Sequence, residues 1–302
     1  MIDWIDFGLV RDFAAEMTDA YRLCTKRDGW AERYGSDVLV SYKTEAARDR
    51  ILQELEEWTL LSNVRIERIF GRYLPKQNAE RNAPKLISGD ASAPLERTVL
   101  ERGVSYGLDF TAGYSAGLFL DQRENRQFVR RAAPRRLLNC FAYTCSFSVV
   151  AGLAGAETLS IDLSRKSLNR GRDNFVLNRL ATDRHRFLAD DVSAILPRLA
   201  RKGERFDAII LDPPTFSRSR TGKAWQVEHD FERLLLAALE VAEREAKILL
   251  STNCTRLDER ALEVMGRFCL KATRRAGKFV PSLQLPDFPP GAAAHSLWMV
   301  LR

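Results

Sequence analysis

Four acids, Asp162, Asp190, Asp191 and Asp212, stand where apolar runs of strand length stop. One acid in such a place is ordinary, because an acid before a helix is a good N-cap. Four of them on successive strands describe a binding crevice along one edge of a sheet. Asp162 follows the first strand-to-helix turn by about twenty residues, the spacing at which a carboxylate accepts bonds from ribose hydroxyls. Asp190 or Asp191, on the next strand, can accept from an adenine amine. The turn itself, Asn139-Cys140-Phe141-Ala142-Tyr143-Thr144-Cys145-Ser146-Phe147, is rich in small residues but lacks the Gly-x-Gly-x-x-Gly with which dinucleotide enzymes admit a pyrophosphate. A ligand with an adenosine and no phosphates suits that combination, so S-adenosylmethionine is the expected cofactor.

The most abrupt change in the chain surrounds Asp212. Ile209, Ile210 and Leu211, at the end of the 206–211 run, are β-favouring and apolar on consecutive positions, as in a strand buried on both faces. Pro213 and Pro214 end it and hold Asp212 extended at the C-terminal end of that strand, the edge where open α/β sheets bind ligands.

The elements that must position these acids begin at Arg135. Strands at 137–141, 158–161, 186–188, 206–211 and 247–251 alternate with helices at 146–154, 164–180, 194–201, 230–245 and 258–272. That alternation predicts a parallel sheet with right-handed crossovers. Two last strands, near 279–283 and 296–301, have no long helix between them and can pair antiparallel at the sheet edge. We expect an α/β protein: a doubly wound, mainly parallel, seven-stranded Rossmann-like methyltransferase sheet over 128–302, and a smaller α+β domain over 1–127 that binds RNA or substrate and ends in a β-hairpin.

Within the N-terminal part, periodicity predicts a helix over 12–23, a strand over 38–42, a long helix over 44–61 with Ile51, Leu52, Leu55 and Trp58 on one face, and a strand over 65–70. Residues 74–93 are polar and irregular and predict a flexible loop. Segments 104–110 and 117–120 alternate around Gly113 like a hairpin. The polar run 121–126 then precedes a helix over 127–132, either as a solvated cap or as a lid over a ligand. The Leu285 to Gly291 loop is expected over the crevice, and His295 after it is assigned no role.

With 302 residues, 45% hydrophobic and 29% charged, the chain reads as a globular protein with ample core. No apolar stretch reaches membrane-spanning length, and acids occupy the first residues where a signal peptide needs positive charge, so the expected location is cytoplasmic, away from membranes. Five scattered cysteines and three histidines indicate neither a disulfide framework nor a metal site. The net charge of +7 favours a polyanionic partner, and arginine clusters at 130–136, 218–223 and 274–278 beside the crevice point to nucleic acid.

From about Tyr21 onwards the chain resembles the bacterial 23S ribosomal RNA methyltransferases that modify carbon 5 of cytosine, and also the N7-guanine methylating half of a related bifunctional enzyme. The resemblance rests on Glu32-Arg-Tyr-Gly-Ser-Asp37, Gly117-Leu-Phe-Leu-Asp-Gln-Arg123, Leu138-Asn-Cys-Phe-Ala-Tyr-Thr144, Asp162-Leu163-Ser164, Ala189-Asp-Asp-Val192 and Asp212-Pro-Pro-Thr-Phe-Ser217. It implies a site for S-adenosylmethionine lined by Gln122, Arg126, Asn139, Phe141, Tyr143, Asp162, Leu163, Ser164, Asp190, Asp191, Asp212 and Pro213. Many family members have two glycines where this chain has Cys145 and Ser146. The PUA-type RNA-binding module that often begins these proteins is not expected here, so 23S ribosomal RNA would be met by the N-terminal domain and the basic clusters, with the protein a monomer or homodimer.

Carbon 5 of cytosine is a poor nucleophile, so chemistry there needs a thiolate to add at carbon 6 first. Cys254, in Ser251-Thr-Asn-Cys254 at the end of the fifth strand, is the candidate, and Asp212 can bond the base and help to activate it. Pro214, Phe216, Arg218 and Asn253 are candidate substrate contacts, Phe216 as a stacking platform for a base taken out of its helix. Cysteine is also among the most buried residue types, and Cys254 can equally be an inert core residue. In that case Asn253 matters more and methyl transfer to guanine N7 needs only positioning and electrostatics. A protein that keeps the fold and binds RNA or cofactor without turnover is the third reading.

Overall fold

The computed structural model describes residues 4–74, 83–218 and 224–302, which form two compact units. The first takes in residues up to Asp121 together with Leu285–Ala292; the second comprises Gln122–Gln284 and Ala293–Arg302.

In the first unit, helix α1 (Phe7–Ala15) is capped by Asp6, whose carboxylate accepts the Gly8 N–H. Strands β1 (Ala20–Lys26), β2 (Gly29–Tyr34) and β3 (Asp37–Tyr42) pair antiparallel in sequence. Helix α2 (Glu45–Ser62) then crosses to β4 (Arg68–Tyr73), which lies parallel to β3, and β5 (Lys85–Ser88) closes the five-stranded sheet. Thr44 caps α2 by accepting from Ala47 N–H, and Asn63 ends it in the left-handed conformation. Ile51, Leu55 and Trp58 of α2 pack on Tyr21, Leu23, Val38 and Val40 of the sheet. The helix predicted over 12–23 is a correction: α1 ends at Ala15, Met17 turns left-handed at φ 53, and the chain re-enters as β1, whose first five residues are all buried, Arg22 among them.

The hairpin of this unit also differs from expectation. Strand β7 (Val104–Asp109) pairs not with 117–120 but with β6 (Glu96–Glu101). Arg102 and Gly103, with φ of 48 and 74, make the two-residue turn whose twist matches the strands it joins. Within the loop predicted over 74–93, residues 85–88 are β5, and 75–82 lie outside the described residues. The Leu285–Ala292 loop belongs to this unit: Leu285, Asp287 and Phe288 are buried, Asp287 Oδ2 accepts the Arg22 amide at 2.9 Å, and the Arg22 guanidinium lies over the Phe288 ring.

The second unit opens with α3 (Arg123–Ala132), followed by β8 (Arg136–Cys140), α4 (Ser146–Leu153), β9 (Glu157–Asp162), α5 (Arg165–Leu177), β10 (His185–Ala189), α6 (Val192–Arg201) and β11 (Phe206–Leu211). A short hairpin of β12 (Phe216–Arg218) and β13 (Ala224–Gln226) precedes α7 (Val227–Leu239), β14 (Ala242–Thr252), α8 (Glu259–Ala272), β15 (Gly277–Pro281) and β16 (His295–Leu301). The seven-stranded sheet has the order β10-β9-β8-β11-β14-β16-β15, parallel through β14 with β16 reversed between β14 and β15. This is the doubly wound, mainly parallel sheet anticipated, with the last two strands antiparallel at its edge. Ile209, Leu211, Ile248 and Leu250 lie at its centre among Phe231, Leu234, Leu235 and Leu262, each such buried side chain worth about 1.5–3 kcal/mol.

Residues 242–245, assigned by pattern to a helix, instead begin β14, because pairing of Ala242 with Phe206 overrides the helix preference of Glu243 to Glu245. Likewise α3 starts at Arg123, and Arg123, Asn125 and Arg126 are buried, so the polar run 121–126 is no solvated cap. No helix among the described residues is long and apolar enough to cross a membrane.

Candidate active site

Strand order reverses between β8 and β11, and the acids of interest gather at the C-terminal ends of these strands and their neighbours. The turn after β8 is unusual. Phe141, Tyr143 and Cys145, at alternate positions, have φ of 59, 49 and 61 without a glycine among them. Each left-handed residue costs about 1–2 kcal/mol, so the surroundings must impose the path. They do so through three hydrogen bonds: Ala142 N–H to Ile161 O at 2.9 Å, Cys145 N–H to Ala142 O at 2.7 Å, and Tyr143 N–H to Asp162 Oδ2 at 2.8 Å.

Asp162 closes β9. Its second oxygen accepts Ser164 N–H at 2.8 Å, and Ser164 in turn caps α5 by accepting from Ser167 N–H, with half-buried Leu163 between them. Burial pushes the Asp162 carboxyl above its ordinary range, opposed by the Ser164 and Tyr143 amides. After β10, Asp190 Oδ1 accepts the Asp191 amide and its Oδ2 lies 3.5 Å from Arg198, while Asp191 caps α6 by accepting from Ser193 N–H.

Three of the expected cofactor contacts sit deeper. Asn139, 1% exposed on β8, donates to Ser148 Oγ at 3.0 Å, which contacts Ser160 Oγ at 2.8 Å. Gln122 Nε2 donates to Ser251 Oγ at 2.9 Å, and Gln122 Oε1 accepts from Asn125 Nδ2 at 2.8 Å. Asn125 Oδ1 accepts from Trp298 Nε1 and from Ser282 Oγ, so α3 is tied to β14, β16 and the segment after β15. Arg126, one turn after Gln122 on the same helix face, is also buried.

On the other wall, half-buried Asp212 follows β11, Pro213 is buried, and Pro214 is exposed with its carbonyl accepting Trp225 Nε1 at 3.0 Å. The Phe141 ring lies 5.7 Å from Trp225. Phe216 is 54% exposed at the start of β12. Arg218 lies on the same strand, but its side chain and its cluster neighbours Arg220 and Lys223 fall outside the described residues. Strand β14 runs beside β11 with Leu250 opposite Leu211, so Ser251 comes level with Asp212 and Cys254 follows. Asn253 is exposed; Cys254 is 4% exposed, donates its amide to Thr252 Oγ1 at 3.1 Å and its thiol to Glu228 Oε1 at 3.4 Å. Burial pushes the thiols of Cys24 and Cys145 up to about 12 and that of Cys269 to about 11, and raises Cys140 as well.

Sequence reasoning missed Asn125, Trp225, Glu228 and Ser251. For Glu228 a signal existed: with Asp230 it puts acids in the first turn of a helix, where they offset the dipole.

Residues 45–291 match the family model of S-adenosylmethionine-dependent methyltransferases. The chain belongs to this family. This methyltransferase is 32% identical over 287 residues to ribosomal RNA large subunit methyltransferase I of Aeromonas salmonicida, a match covering 90% of this chain and 71% of that protein. The protein of the same name from Erwinia tasmaniensis is 41% identical over 137 residues, or 45% of this chain and 34% of its own. Among solved structures, the methyltransferase SMU.776 complexed with SAH superposes with a TM-score of 0.80 at 24% identity, over 97% of this chain and 78% of that one. A SAM-dependent methyltransferase from Agrobacterium tumefaciens gives 0.72 at 22% identity, over 94% and 90%. Both share the fold.

The donor set of this methyltransferase fits its cofactor, S-adenosylmethionine. A carboxylate offers about four lone-pair sites, and the two amides on Asp162 leave room for a ribose diol. Tyr143, half-buried, donates its amide to that carboxylate, and no phosphate-binding glycine loop precedes α4.

Proposed function

We propose that this methyltransferase acts on large-subunit ribosomal RNA, at carbon 5 of a cytosine in 23S RNA, through an adduct to Cys254. The observation that supports this most is the thiol of Cys254 beyond β14, on the strand next to the one that ends in Asp212. The names of the Aeromonas and Erwinia relatives support ribosomal RNA as substrate class. In this reading Asp162 holds the ribose, Asp190 or Asp191 the adenine amine, and Gln122, Arg126, Asn139, Phe141, Tyr143, Leu163, Ser164 and Pro213 shape the cofactor pocket. Bound S-adenosylmethionine supplies an electrophilic methyl group. The chain's own part is to make the base reactive: Cys254 adds to carbon 6, Asp212 bonds the ring nitrogen or amine, and Phe216 stacks on the extruded base beside Pro214, Arg218 and Asn253. The N-terminal domain, expected from the sequence over residues 1–127, and the basic clusters take the RNA backbone, in the cytoplasm, with no metal required.

One observation favours a second reading, methylation of guanine N7 without a covalent step: Asn253 is exposed whereas Cys254 is 4% exposed. The deciding experiment is methylation of ribosomal RNA with labelled S-adenosylmethionine by wild type and Cys254→Ala, followed by nucleoside analysis. Label in 5-methylcytidine that disappears in the variant supports the adduct; label in 7-methylguanosine that survives establishes the second reading. Saturable cofactor binding without label in any RNA supports a binding protein instead.

A further inference from the structure

The acceptor of the Cys254 thiol proton is a carboxylate whose own surroundings are built. Glu228 Oε1 lies 3.4 Å from Sγ, while Oε2 accepts from Arg256 Nη1 at 3.0 Å. Glu228 stands in the first turn of α7, and its side chain pairs with Arg256. The start of that helix is fastened to the Asp212-Pro213-Pro214-Thr215 loop twice, by Val227 N–H to Thr215 O at 3.2 Å and by Trp225 Nε1 to Pro214 O at 3.0 Å. The loop that carries the base-contacting acid and the helix that carries Glu228 therefore hold their places together. Cys254 itself is 4% exposed, so bulk water is poorly placed to take its proton.

The thiolate, not the thiol, is the nucleophile. We propose that Glu228 is the general base for Cys254; this rests on the reading of Cys254 as the nucleophile. As Sγ bonds to carbon 6 of the pyrimidine, the S–H bond breaks and its proton passes to Glu228 Oε1. The electron pair of the carbon 5–carbon 6 double bond moves onto carbon 5 and would form the bond to the methyl group that bound S-adenosylmethionine supplies, whose bond to the sulfonium sulfur would break and leave its pair on that sulfur. In the elimination that follows, the carbon 5 proton leaves to water, its bonding pair restores the double bond, the S–C bond breaks and the sulfur recovers its proton from Glu228. Arg256 is a positioning residue, keeping the carboxylate turned to the thiol. Among the other acids on these elements, Asp230 accepts Gln226 N–H and pairs with Arg233, Asp258 caps α8, and Glu259 contacts His295.

The test uses transcribed 23S RNA in which 5-fluorocytidine replaces cytidine, since fluorine at carbon 5 cannot leave as a proton and the adduct accumulates. Its formation is followed on denaturing gels from pH 6 to 8, alongside RNA affinity and thermal melting. Glu228→Gln, nearly identical in shape, is expected to slow adduct formation by about 100-fold at unchanged RNA affinity, the low end for loss of a general base. Its rate should then climb about tenfold per pH unit, first order in hydroxide as hydroxide replaces the lost base, where wild type is flat. Arg256→Ala, a change at an exposed side chain, should give a severalfold loss. Adduct formation by Glu228→Gln at the wild-type rate and pH dependence overturns the proposal and leaves Cys254 as nucleophile. A wild type that forms no adduct, like Cys254→Ala, removes the nucleophile and its base together.

Discussion

Gly171 and Cys145, on different elements, occupy one space: a Cβ built on Gly171 would stand 2.4 Å from Cys145 Sγ. The absent side chain on α5 is what lets the left-handed turn after β8 close beneath it. Gly171→Ala is therefore expected to destabilise the protein by about 1–3 kcal/mol, the usual cost of overpacking. Cys145→Gly in the same chain should recover most of that loss, and a double-mutant cycle by urea denaturation measures the coupling. Additive effects would show that the two residues yield to each other freely.

Asp162 gives a prediction about cofactor binding and its pH dependence. Asp162→Asn exchanges a charged acceptor for a neutral amide and should weaken S-adenosylmethionine binding by about 10–100-fold by calorimetry, the worth of a hydrogen bond to a charged group. In the wild type burial holds the folded carboxyl above the ordinary 3.8 of a free aspartate. Ribose donors favour its ionised form, so affinity should rise with pH in the window just above 3.8 and level off once the carboxyl is ionised. Affinity that is flat or falls with pH there would separate Asp162 from the ribose.

His185 makes stability depend on pH. Its Nδ1 lies 3.0 Å from Thr158 Oγ1 and its ring packs 4.5 Å from Phe175. Burial, and then the Arg184 cation, lower its pKa below the ordinary 6.5 of a free histidine. The neutral ring thus suits the folded state. Its contribution is complete above pH 6.5 and is lost as pH falls through the folded value. Melting temperature should decline on that acid side, and His185→Gln should flatten the decline when the two melting curves are compared.

Asn125 is a junction that tolerates no apolar substitute. Asn125→Leu leaves Trp298 Nε1 and Gln122 Oε1 without their partners in a buried site. A loss of about 1–3 kcal/mol follows for each buried polar group left unsatisfied. Chemical denaturation checks this, and the tryptophan emission of the folded state should shift as the indole loses its acceptor.

The second unit was readable because its signals are local. Ile209 to Leu211 followed by Pro213 and Pro214 can be little but a buried strand and its end, and Asp162 and Asp212 stand at strand ends where that pattern puts them. What escaped depends on partners far along the chain. Gln122 finds Ser251, Asn125 finds Trp298 and Cys254 finds Glu228 only after the sheet assembles. In the N-terminal unit the long helix is legible from its stripe of Ile51, Leu55 and Trp58 and its Thr44 cap, whereas β1 is buried at five consecutive residues, Ala20 to Cys24, a short run that periodicity cannot tell from a helix.

The Leu285–Ala292 segment denies the chain a clean seam. A polypeptide begun at Gln122 would still carry buried Asp287 but not the Arg22 amide bonded to it, and one ended at Asp121 would lack Leu285 and Phe288 from its interior. A single genetic crossover between the two units would therefore orphan part of one of them. Exchange of the N-terminal unit for another would need two junctions at once, so variation in this chain is expected to proceed by point substitution more readily than by module swapping.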